Sequence, residues 1–423
     1  MPRIAVVGAG WAGLAAAVHA TTLGHAVTLF EMAPQCGGRA RGVDVDGLRL
    51  DNGQHIMIGA YTELLRLMKV VGADPQRLLL RTPLTLVDAA GTGLKLGSGN
   101  PAMAFFGAVA THSRWSWPTK LALIVTAVRW RLRGFHCDPS WSVATLTKGL
   151  SSTLVEDLID PLCIAALNTP SGDAGGSVFL RVMKDALFSG PGSCDLLMPR
   201  VQLGNVFPKP ASLWLANNGV TIRASTRVRE IESSGDMWAV DGTCFDRVVI
   251  ATPPGEAARL AFPFAPQWAE VALGLRFEPI VTVYLNSPGT RLPAPMLALR
   301  SNSTRPAQFV FDRGQLGGPS GLLAFVISGA RRWVDVGAQA TLDATVAQAR
   351  WALAQVLRGP LLPVRVLAEQ RATFRCTPQL QRPGSRLAAG VWAAGDYIEG
   401  PYPATLEGAV RSGVQAAAAA SKC

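Results

Sequence analysis

Three glycines near the N-terminus have the spacing that binds the pyrophosphate of a dinucleotide. Gly8, Gly10 and Gly13 form a G-x-G-x-x-G motif, and the acidic Glu31 follows it. The first glycine of such a motif permits a tight turn, the second lets the backbone approach the phosphates, and the third lets a helix pack on a strand. Glu31 can accept hydrogen bonds from a ribose diol but would repel a 2′-phosphate. The motif therefore predicts a site for NAD or FAD rather than NADP.

Two more blocks contain residues that could contact the same ligand. The paired glycines of Gly37-Gly38-Arg39 would let the backbone approach a phosphate, and the arginine offers that phosphate a guanidinium group. Near the C-terminus, Gly395-Asp396 follows a predicted strand at 391–394. A predicted helix at 404–420 would then point its N-terminus back to the ligand.

An N-terminal βαβ unit must position the glycine motif. The apolar run 4–7 predicts a buried strand, residues 11–23 a helix, and residues 26–30 a second strand that ends at Glu31. Four later runs that alternate with turn signals predict further strands, namely Val220–Ile222, Val228–Ile231, Met237–Val240 and Val248–Ile250. The fold class is therefore α/β, with a Rossmann-type dinucleotide-binding domain and a second α+β domain.

Composition limits the partners and the compartment. The 423 residues carry a net charge of +11, and 49% of them are hydrophobic. A chain that is both apolar and basic suits contact with an anionic membrane or with apolar substrates. It has no nucleic-acid motif and no Lys/Arg block, so we expect no nucleic-acid partner. Seven scattered cysteines without a CxxC pair predict reduced thiols, no metal site and a cytoplasmic protein.

The segment 105–135 is the candidate for contact with a membrane. It places Trp and Lys/Arg residues around the apolar run 121–128, a pattern typical of an interfacial helix. An ordinary buried helix with a basic end is the alternative. No run reaches the roughly 18–20 continuous apolar residues of a membrane span, and the N-terminus is predicted to be a folded strand rather than a signal peptide. We expect a peripheral protein on the inner face of the cytoplasmic membrane.

Four blocks together resemble the amine oxidase and phytoene desaturase class of FAD-dependent flavoproteins. They are GAGWAGLAAA with Glu31, GGRA at 37–40, DNGQH at 51–55, and WAAGD at 392–396 followed by PATLEGAVRSG. Within that class, the runs DNGQHIMIGAYTELLRLM, PLCIAALNTP and GPYPATLEGAVRSG are most similar to the hydroxysqualene dehydroxylases of bacterial squalene and hopanoid biosynthesis. The resemblance implies FAD as the cofactor and a C30 isoprenoid, hydroxysqualene, as the substrate.

The resemblance also implies which residues hold the adenosine end and the middle of FAD. The glycine motif would bind the pyrophosphate, and Glu31 would bind the adenosine ribose. The backbone of Val228 would meet the adenine. Gly38 and Arg39 would lie along the phosphates and the ribityl chain.

The flavin end of the cofactor is assigned to three further groups by the same resemblance. The block 53–55 would run under the isoalloxazine, and the carboxylate after Gly395 would accept a hydrogen bond from a ribityl hydroxyl. Amides at the N-terminus of the last helix would face the flavin N1–C2 carbonyl edge and stabilise the anionic reduced flavin. These residues are Gly53, Gln54, His55, Gly395, Asp396, Ala404, Thr405 and Leu406.

Two departures from the class refine this expectation. Covalent-flavin amine oxidases anchor FAD through a cysteine just before the C-terminal block, whereas Cys376 lies about twenty residues earlier, so we predict non-covalent FAD. Aromatic-cage amine oxidases surround the amine with aromatic side chains. Tyr397 and Tyr402 flank the block here, but the chain has only four tyrosines. An apolar substrate site is therefore favoured over a charged-amine site.

The implied reaction needs an acid, because an allylic hydroxyl leaves only when it is protonated or hydrogen-bonded. His55 is the first candidate, since it is placed near the flavin and histidine titrates near neutrality. Glu407 is the second. The alternatives are that His55 only braces the flavin or a helix N-terminus, and that Glu407 is an ordinary carboxylate in a first helical turn.

The chain is longer than one hydrophobic core usually organises, which predicts two domains. We predict an FAD-binding domain from residues 1–80, 205–265 and 386–423. The mainly helical 81–204 and the mixed sheet and helix of 266–385 would form the substrate domain.

Two other functions stay open at this point. One is an FAD-dependent polyprenoid or carotenoid desaturase or an amine oxidase, with the same fold but with the flavin in the oxidising direction. The other is a non-catalytic flavin-binding partner of squalene-synthesis enzymes. Association with other squalene-synthesis enzymes is also expected of the dehydroxylase itself.

Overall fold

The computed structural model describes residues 1–45 and 47–422. Asp46 and Cys423 lie outside the described residues, and Cys423 is one of the seven predicted reduced thiols. The other six cysteines are unpaired.

Helices and strands come in groups along much of the chain. The α-helices are α1 Trp11–Thr22, α2 Thr62–Val70, α3 Pro75–Leu78, α4 Pro101–Thr111, α5 Trp117–Leu132, α6 Val143–Leu146, α7 Ser152–Leu154, α8 Asp160–Leu167, α9 Gly176–Phe188, α10 Pro208–Asn217, α11 Pro254–Ala261, α12 Pro266–Leu273, α13 Arg331–Asp335, α14 Ala338–Ala352 and α15 Leu406–Ala420. The strands are β1 Arg3–Val7, β2 Ala26–Phe30, β3 Gly42–Val45, β4 Leu48–Asp51, β5 Met57–Ile58, β6 Leu79–Thr82, β7 Thr85–Val87, β8 Gly93–Lys95, β9 Leu196–Pro199, β10 Thr221–Arg223, β11 Ile231–Ser234, β12 Met237–Val240, β13 Thr243–Phe245, β14 Arg247–Ile250, β15 Phe277–Asn286, β16 Met296–Ala298, β17 Phe309–Asp312, β18 Leu322–Ile327, β19 Leu362–Phe374, β20 Arg386–Ala388 and β21 Val391–Ala393.

A six-stranded sheet carries the glycine motif, in the order β10-β2-β1-β14-β21-β20. β1 pairs in parallel with both β2 and β14, and only β20 runs antiparallel to its neighbour. Strands that are covered on both faces are continuously apolar, which explains the run of buried residues in β1. The strands of this sheet come from the three sequence ranges predicted for the FAD-binding domain, and the domain boundaries themselves stay a prediction.

Helices α1, α10 and α15 cover one face of this sheet. Small residues let α1 and α15 approach closely, because a Cβ added at Gly413 would lie 2.1 Å from the Ala12 carbonyl oxygen. The antiparallel strands β11–β13 and helix α11 contribute to the core on the other face. Helix α1, near the N-terminus, and helix α15, near the C-terminus, therefore pack in the same helical layer.

A second, antiparallel sheet has the order β16-β17-β18-β15-β19. One of its faces packs against α13 and α14, and the other packs against β5, β6 and β9. Asn168 ends α8 in a left-handed conformation and joins the helical segment to this sheet. Its Nδ2 donates to Thr373 Oγ1 at 2.9 Å, and its Oδ1 accepts from the Gly329 amide at 2.7 Å.

Several elements differ from the sequence expectations. The strand predicted at Val228–Ile231 is wrong, because residues 226–230 form no ladder and β11 begins at Ile231. The 105–135 segment is two helices rather than one, since Ser116 caps α5 and Pro118 occupies its first turn. No helix in residues 1–45 or 47–422 combines the length and the hydropathy that crossing a membrane requires.

Candidate active site

The first and third glycines of the motif are required by the packing. Gly8 has φ +102°, and a Cβ there would lie 2.7 Å from the Ala251 carbonyl oxygen. A Cβ at Gly13 would lie only 1.8 Å from the Gly8 carbonyl oxygen. The turn between β1 and α1 therefore closes against β14, as the sequence motif predicts.

Gly10 and Gly38 face each other across the opening of α1. A Cβ at Gly38, which has φ +62°, would lie 3.2 Å from the Gly10 Cα, and at Gly10 the Gly38 Cα is the nearest atom. α1 begins at Gly10 without a side-chain cap or an acidic residue in its first turn. Its first amides are therefore free to bind an anion at the positive end of the helix dipole.

Glu31 lies beside this opening and is held by two backbone amides. Its Oε2 accepts from Ala9 N at 2.7 Å, and its Oε1 accepts from Ala33 N at 2.8 Å. The Thr226 amide donates to the Glu31 carbonyl at 2.8 Å, which brings the segment before Val228 to the end of β2. The structure thus brings the predicted ribose and adenine residues together.

Val228 is buried, and its carbonyl accepts from Arg259 Nη2 at 2.8 Å. A backbone contact with adenine would have to use the Val228 amide or the second lone pair of that carbonyl. The role of Val228 stays a prediction, and Arg259 is a neighbour that the sequence did not indicate.

An ion pair joins the N-terminal and C-terminal blocks. Arg39 Nη2 lies 2.6 Å from Asp396 Oδ1, although the two residues are 357 positions apart. Arg39 Nη1 also donates to the carbonyls of Arg371 and Ala372 at 3.2 and 3.1 Å. The Gly395 amide donates to Ser412 Oγ of α15 at 2.8 Å. Two blocks predicted to share one ligand therefore meet directly.

The block 51–55 takes part in a buried polar network with the second sheet. Arg313 Nη1 donates to Gln54 Oε1 at 2.9 Å, and Gln54 Nε2 donates to the Tyr284 hydroxyl at 3.3 Å. That hydroxyl donates to the Asp51 carbonyl at 2.9 Å. Burial raises the pKa of Asp51, and it raises the pKa of Tyr284 to about 12. The tyrosine therefore stays protonated and fixes the turn of the block.

His55 lies next to Gly53, where an added Cβ would lie 3.7 Å from its ring. Its Nδ1 is 2.9 Å from the Gly53 carbonyl oxygen, which can only accept, so Nδ1 carries the proton. Its Nε2 has no hydrogen-bond partner among the residues that the structure describes. Burial lowers the pKa of His55, and the hydrogen bond with the Gly53 carbonyl and the nearby Asp51 oppose this only in part. The ring is therefore mostly neutral at pH 7, with Nε2 as a hydrogen-bond acceptor.

The N-terminus of α15 forms the other wall predicted for the flavin. Ala404 has φ +57°, and Thr405 caps the helix by accepting from the Gly408 amide at 3.0 Å. Leu406 is the first helical residue, so the helix begins two residues later than predicted. The Ala404 amide donates to the Asp396 carbonyl at 3.1 Å, which ties this terminus to the ion pair.

Glu407 is fully buried and caps another helix. Its two carboxylate oxygens accept from the amides of Glu63 and Leu64, at the start of α2, at 3.0 and 2.9 Å. Arg411 Nε donates to the same carboxylate at 2.6 Å. These contacts favour the capping role over the acid role for Glu407, because both oxygens are already engaged.

The structure also shows where the residues behind the two departures from the class lie. Cys376 is buried, and burial raises the pKa of its thiol to about 12. Tyr397 is buried against Gly395, where an added Cβ would lie 2.4 Å from the ring, and its hydroxyl donates to the Thr252 carbonyl. Tyr402 packs edge to face with Tyr61. Non-covalent attachment of FAD stays a prediction.

Two buried hydroxyls show that the residues fit a bound group. Thr252 Oγ1 and Thr282 Oγ1 have no hydrogen-bond partner among residues 1–45 and 47–422. A Cβ added at Gly8 would lie 3.2 Å from Thr252 Cγ2, and a Cβ added at Gly53 would lie 4.0 Å from Thr282 Oγ1. Buried polar atoms are nearly always paired. These two lie at the pyrophosphate and flavin ends of the predicted site, which together with the open glycine cradle fits FAD.

The chain belongs to the flavin-containing amine oxidoreductase family, whose sequence profile matches residues 11–421. It is an FAD-dependent oxidoreductase. Hydroxysqualene dehydroxylases from Sinorhizobium fredii and Rhodopseudomonas palustris are each 28% identical to it, over 99% and 97% of this chain and 98% and 96% of theirs. The zeta-carotene desaturase of Zea mays is 41% identical, but over only 21% of this chain and 16% of its own.

Solved structures show the same fold. Cyclohexylamine oxidase from Brevibacterium oxydans superposes with a TM-score of 0.72 at 17% identity, covering 100% of this chain and 99% of its own. The predicted fold class is therefore confirmed, and so are the family and FAD.

Sequence reasoning missed several residues that shape the site. Tyr284 lies within an apolar strand, and Arg313 follows another strand without any motif. Ser412 and Arg259 are equally isolated in sequence. Only a polar residue within an otherwise apolar run, as at Tyr284, could have been noticed.

Proposed function

We propose that this enzyme reduces hydroxysqualene to squalene. The observation that supports this substrate is the full-length similarity to curated hydroxysqualene dehydroxylases, in contrast to the partial matches of the desaturases. Reduced flavin, when bound, supplies the hydride that replaces the lost hydroxyl. The protein must hold the alcohol beside the flavin block, supply a proton to the leaving oxygen and exclude water.

An apolar wall beside the flavin block supports an uncharged substrate. Ile280, Thr282 and Tyr284 alternate along β15 and share one face, and this face contacts the block through Gly53 and Asp51. Leu367 and Val326 are the in-register neighbours of Thr282 on the flanking strands. Glu369 and Arg365 lie opposite Ile280 and Tyr284 on β19, so the apolar part of the wall is the part around Thr282. That part suits an isoprenoid chain better than an ammonium group.

His55 is the proton donor that we propose. Its Nδ1 is oriented by the Gly53 carbonyl, so the acidic proton of the cationic ring would sit on Nε2. The lowered pKa makes the imidazolium a stronger acid than free histidine. It also means that only a small fraction of the rings is protonated at pH 7. The neutral ring can only orient the hydroxyl by accepting its hydrogen bond.

Anaerobic incubation of pre-reduced protein with hydroxysqualene tests the reaction. We expect the flavin absorbance near its oxidised maximum to return as squalene forms, with one squalene per flavin oxidised. The measurement combines a stopped-flow spectrum with extraction of the product.

The control for that experiment is squalene in place of the alcohol, which should leave the flavin reduced. Flavin that is reduced by an amine or a polyprenoid, but is not re-oxidised by hydroxysqualene, would instead support an amine oxidase or a desaturase. Stoichiometric FAD with no redox response to any of these compounds would point to a non-catalytic role.

The pH dependence of turnover tests the role of His55. If the imidazolium is the acid, kcat/KM should rise about tenfold for each pH unit below neutrality, until it levels off at the lowered pKa of His55. His55→Gln should lose this limb and at least about a hundredfold in kcat/KM, while it keeps bound FAD. Steady-state rates across the pH range provide the measurement.

His136→Gln is the matched control, because His136 is exposed and lies outside the site. It should keep the wild-type profile. A flat wild-type profile, or full turnover in His55→Gln, would assign His55 to bracing the flavin block alone.

A further inference from the structure

The outward face of α5 is apolar, the reverse of an ordinary surface helix. At about 100° per residue, its five exposed apolar side chains project within an arc of about 80°. They are Trp117 (71% exposed), Leu121 (61%), Val125 (46%), Val128 (41%) and Leu132 (83%). Ile124 is half-buried beside them. Singly scattered exposed apolar residues are normal, but a continuous stripe marks an interaction surface.

The inward face of α5 is firmly held. Leu123 and Trp130 are buried, and Lys120 is buried with its Nζ donating to the Ala110 carbonyl of α4 at 2.8 Å. The same Nζ lies 4.8 Å from the centre of the Trp117 ring. Because α5 is anchored through this side, its apolar stripe is presented outward and is not a poorly packed core helix.

The charged residues that the α4–α5 segment itself contributes are all basic, and one of them, Arg114, pairs with Asp88 outside the segment. Residues 101–137 contain five Lys and Arg and no Asp or Glu. Arg129 and Arg131 project on either side of the stripe, and Arg133 follows the helix; all three are exposed. Arginines that flank an apolar face can extend to phosphates while the face is buried. A second copy docked on this stripe would bring two sets of arginines together.

We propose that the outward face of α5 docks on an anionic lipid bilayer. This proposal rests on the proposed function, because a C30 isoprenoid alcohol partitions into membranes and would reach the enzyme from there. The helix has 16 residues and is about 24 Å long, too short to cross a hydrocarbon core of about 30 Å. It therefore lies in the plane of the interface, with the stripe among the acyl chains and the arginines at the headgroups.

Sedimentation with phosphatidylcholine vesicles, with or without phosphatidylglycerol, tests the docking. Wild-type protein should bind the anionic vesicles, and NaCl should weaken this binding because exposed charges are screened. Arg129→Gln/Arg131→Gln/Arg133→Gln should weaken partitioning on the order of a hundredfold. Arg77→Gln/Arg291→Gln/Arg350→Gln removes the same charge from exposed positions elsewhere and should have a much smaller effect.

The apolar stripe is tested in the same assay. Leu121→Ser/Leu132→Ser should weaken partitioning about tenfold or more. Leu213→Ser/Leu273→Ser, at positions 58% and 59% exposed on other helices, is the matched control. Both variants change exposed side chains and should melt at the wild-type temperature.

Each outcome of these assays identifies what the apolar stripe of α5 binds. Equal binding to neutral and anionic vesicles, or unchanged binding in both α5 variants, would overturn the proposal. A dimer that dissociates in Leu121→Ser/Leu132→Ser, without vesicle binding, would assign the stripe to a second copy. Turnover of detergent-dispersed hydroxysqualene should be normal in the α5 variants. Wild-type protein that binds vesicles but never forms squalene would refute the proposed function and leave the docking surface standing.

Discussion

Gly13→Ala should abolish FAD retention and lower the free energy of unfolding by about 3 kcal/mol. The added Cβ would lie 1.8 Å from the Gly8 carbonyl oxygen and 2.9 Å from its carbon. Neither is the end of a flexible side chain, so the turn between β1 and α1 must open. Because this turn is predicted to direct the α1 amides at the pyrophosphate, stability and cofactor binding should fall together. Urea unfolding and the flavin-to-protein absorbance ratio measure the two effects.

Gly107→Ala is the matched control for that substitution. Gly107 lies within α4, and a Cβ there would meet nothing within 4 Å. Replacing a glycine by alanine within an open helix stabilises a protein by about 0.5–1 kcal/mol, so this variant should change stability in the opposite direction. Gly13→Ala protein that is as stable and as yellow as wild type would refute the geometry of the turn.

Glu407→Gln should lower the free energy of unfolding by about 2–3 kcal/mol and leave the turnover of the folded, FAD-loaded enzyme unchanged. The amide has one acceptor oxygen where the carboxylate has two, so one amide at the start of α2 loses its partner. Arg411 loses its countercharge as well. A catalytic acid would show the opposite pattern, with normal stability and lost turnover. Urea unfolding and kcat per bound flavin separate the two roles.

Glu63→Gln provides the comparison on the same helix. Among the described residues, the Glu63 side chain forms its ion pair with Arg66, at the surface. The Glu63 backbone amide, which Glu407 caps, is unchanged by the substitution. Exposed ion pairs contribute at most about 1 kcal/mol. A Glu407→Gln variant as stable as Glu63→Gln but inactive would restore the acid role.

The parts of the site that the sequence predicted are those encoded locally. The β1–α1–β2 unit contains the three glycines and Glu31 close together in sequence. The local backbone at each of these positions requires the residue type that is found there. The end of β21 and the start of α15 could be predicted for the same reason, because a strand, a turn and a helix cap each have a short sequence pattern. The identity of the ligand came from the combination of blocks.

The rest of the site depends on contacts that no local pattern records. Tyr284 and Arg313 meet Gln54 only because the second sheet packs on the block 51–55. The extended segment before β11 has strand-like residues, yet its amides bind Asp241 and the end of β2 instead of a neighbouring strand. Glu407 has an ordinary position in its own helix, and its burial against α2 decides its role.

The strand order of the first sheet also has a consequence for the order of assembly during synthesis. β1 and β2 leave the ribosome before β21 and α15, and Arg39 must wait 357 residues for Asp396. At about 5–20 residues per second this wait lasts about 20–70 s. After β14 has paired with β1, the other edge of β14 stays unpaired until β21 arrives. The predicted FAD site includes Asp396 and the start of α15, so we expect tight FAD binding only after this C-terminal block has been synthesised.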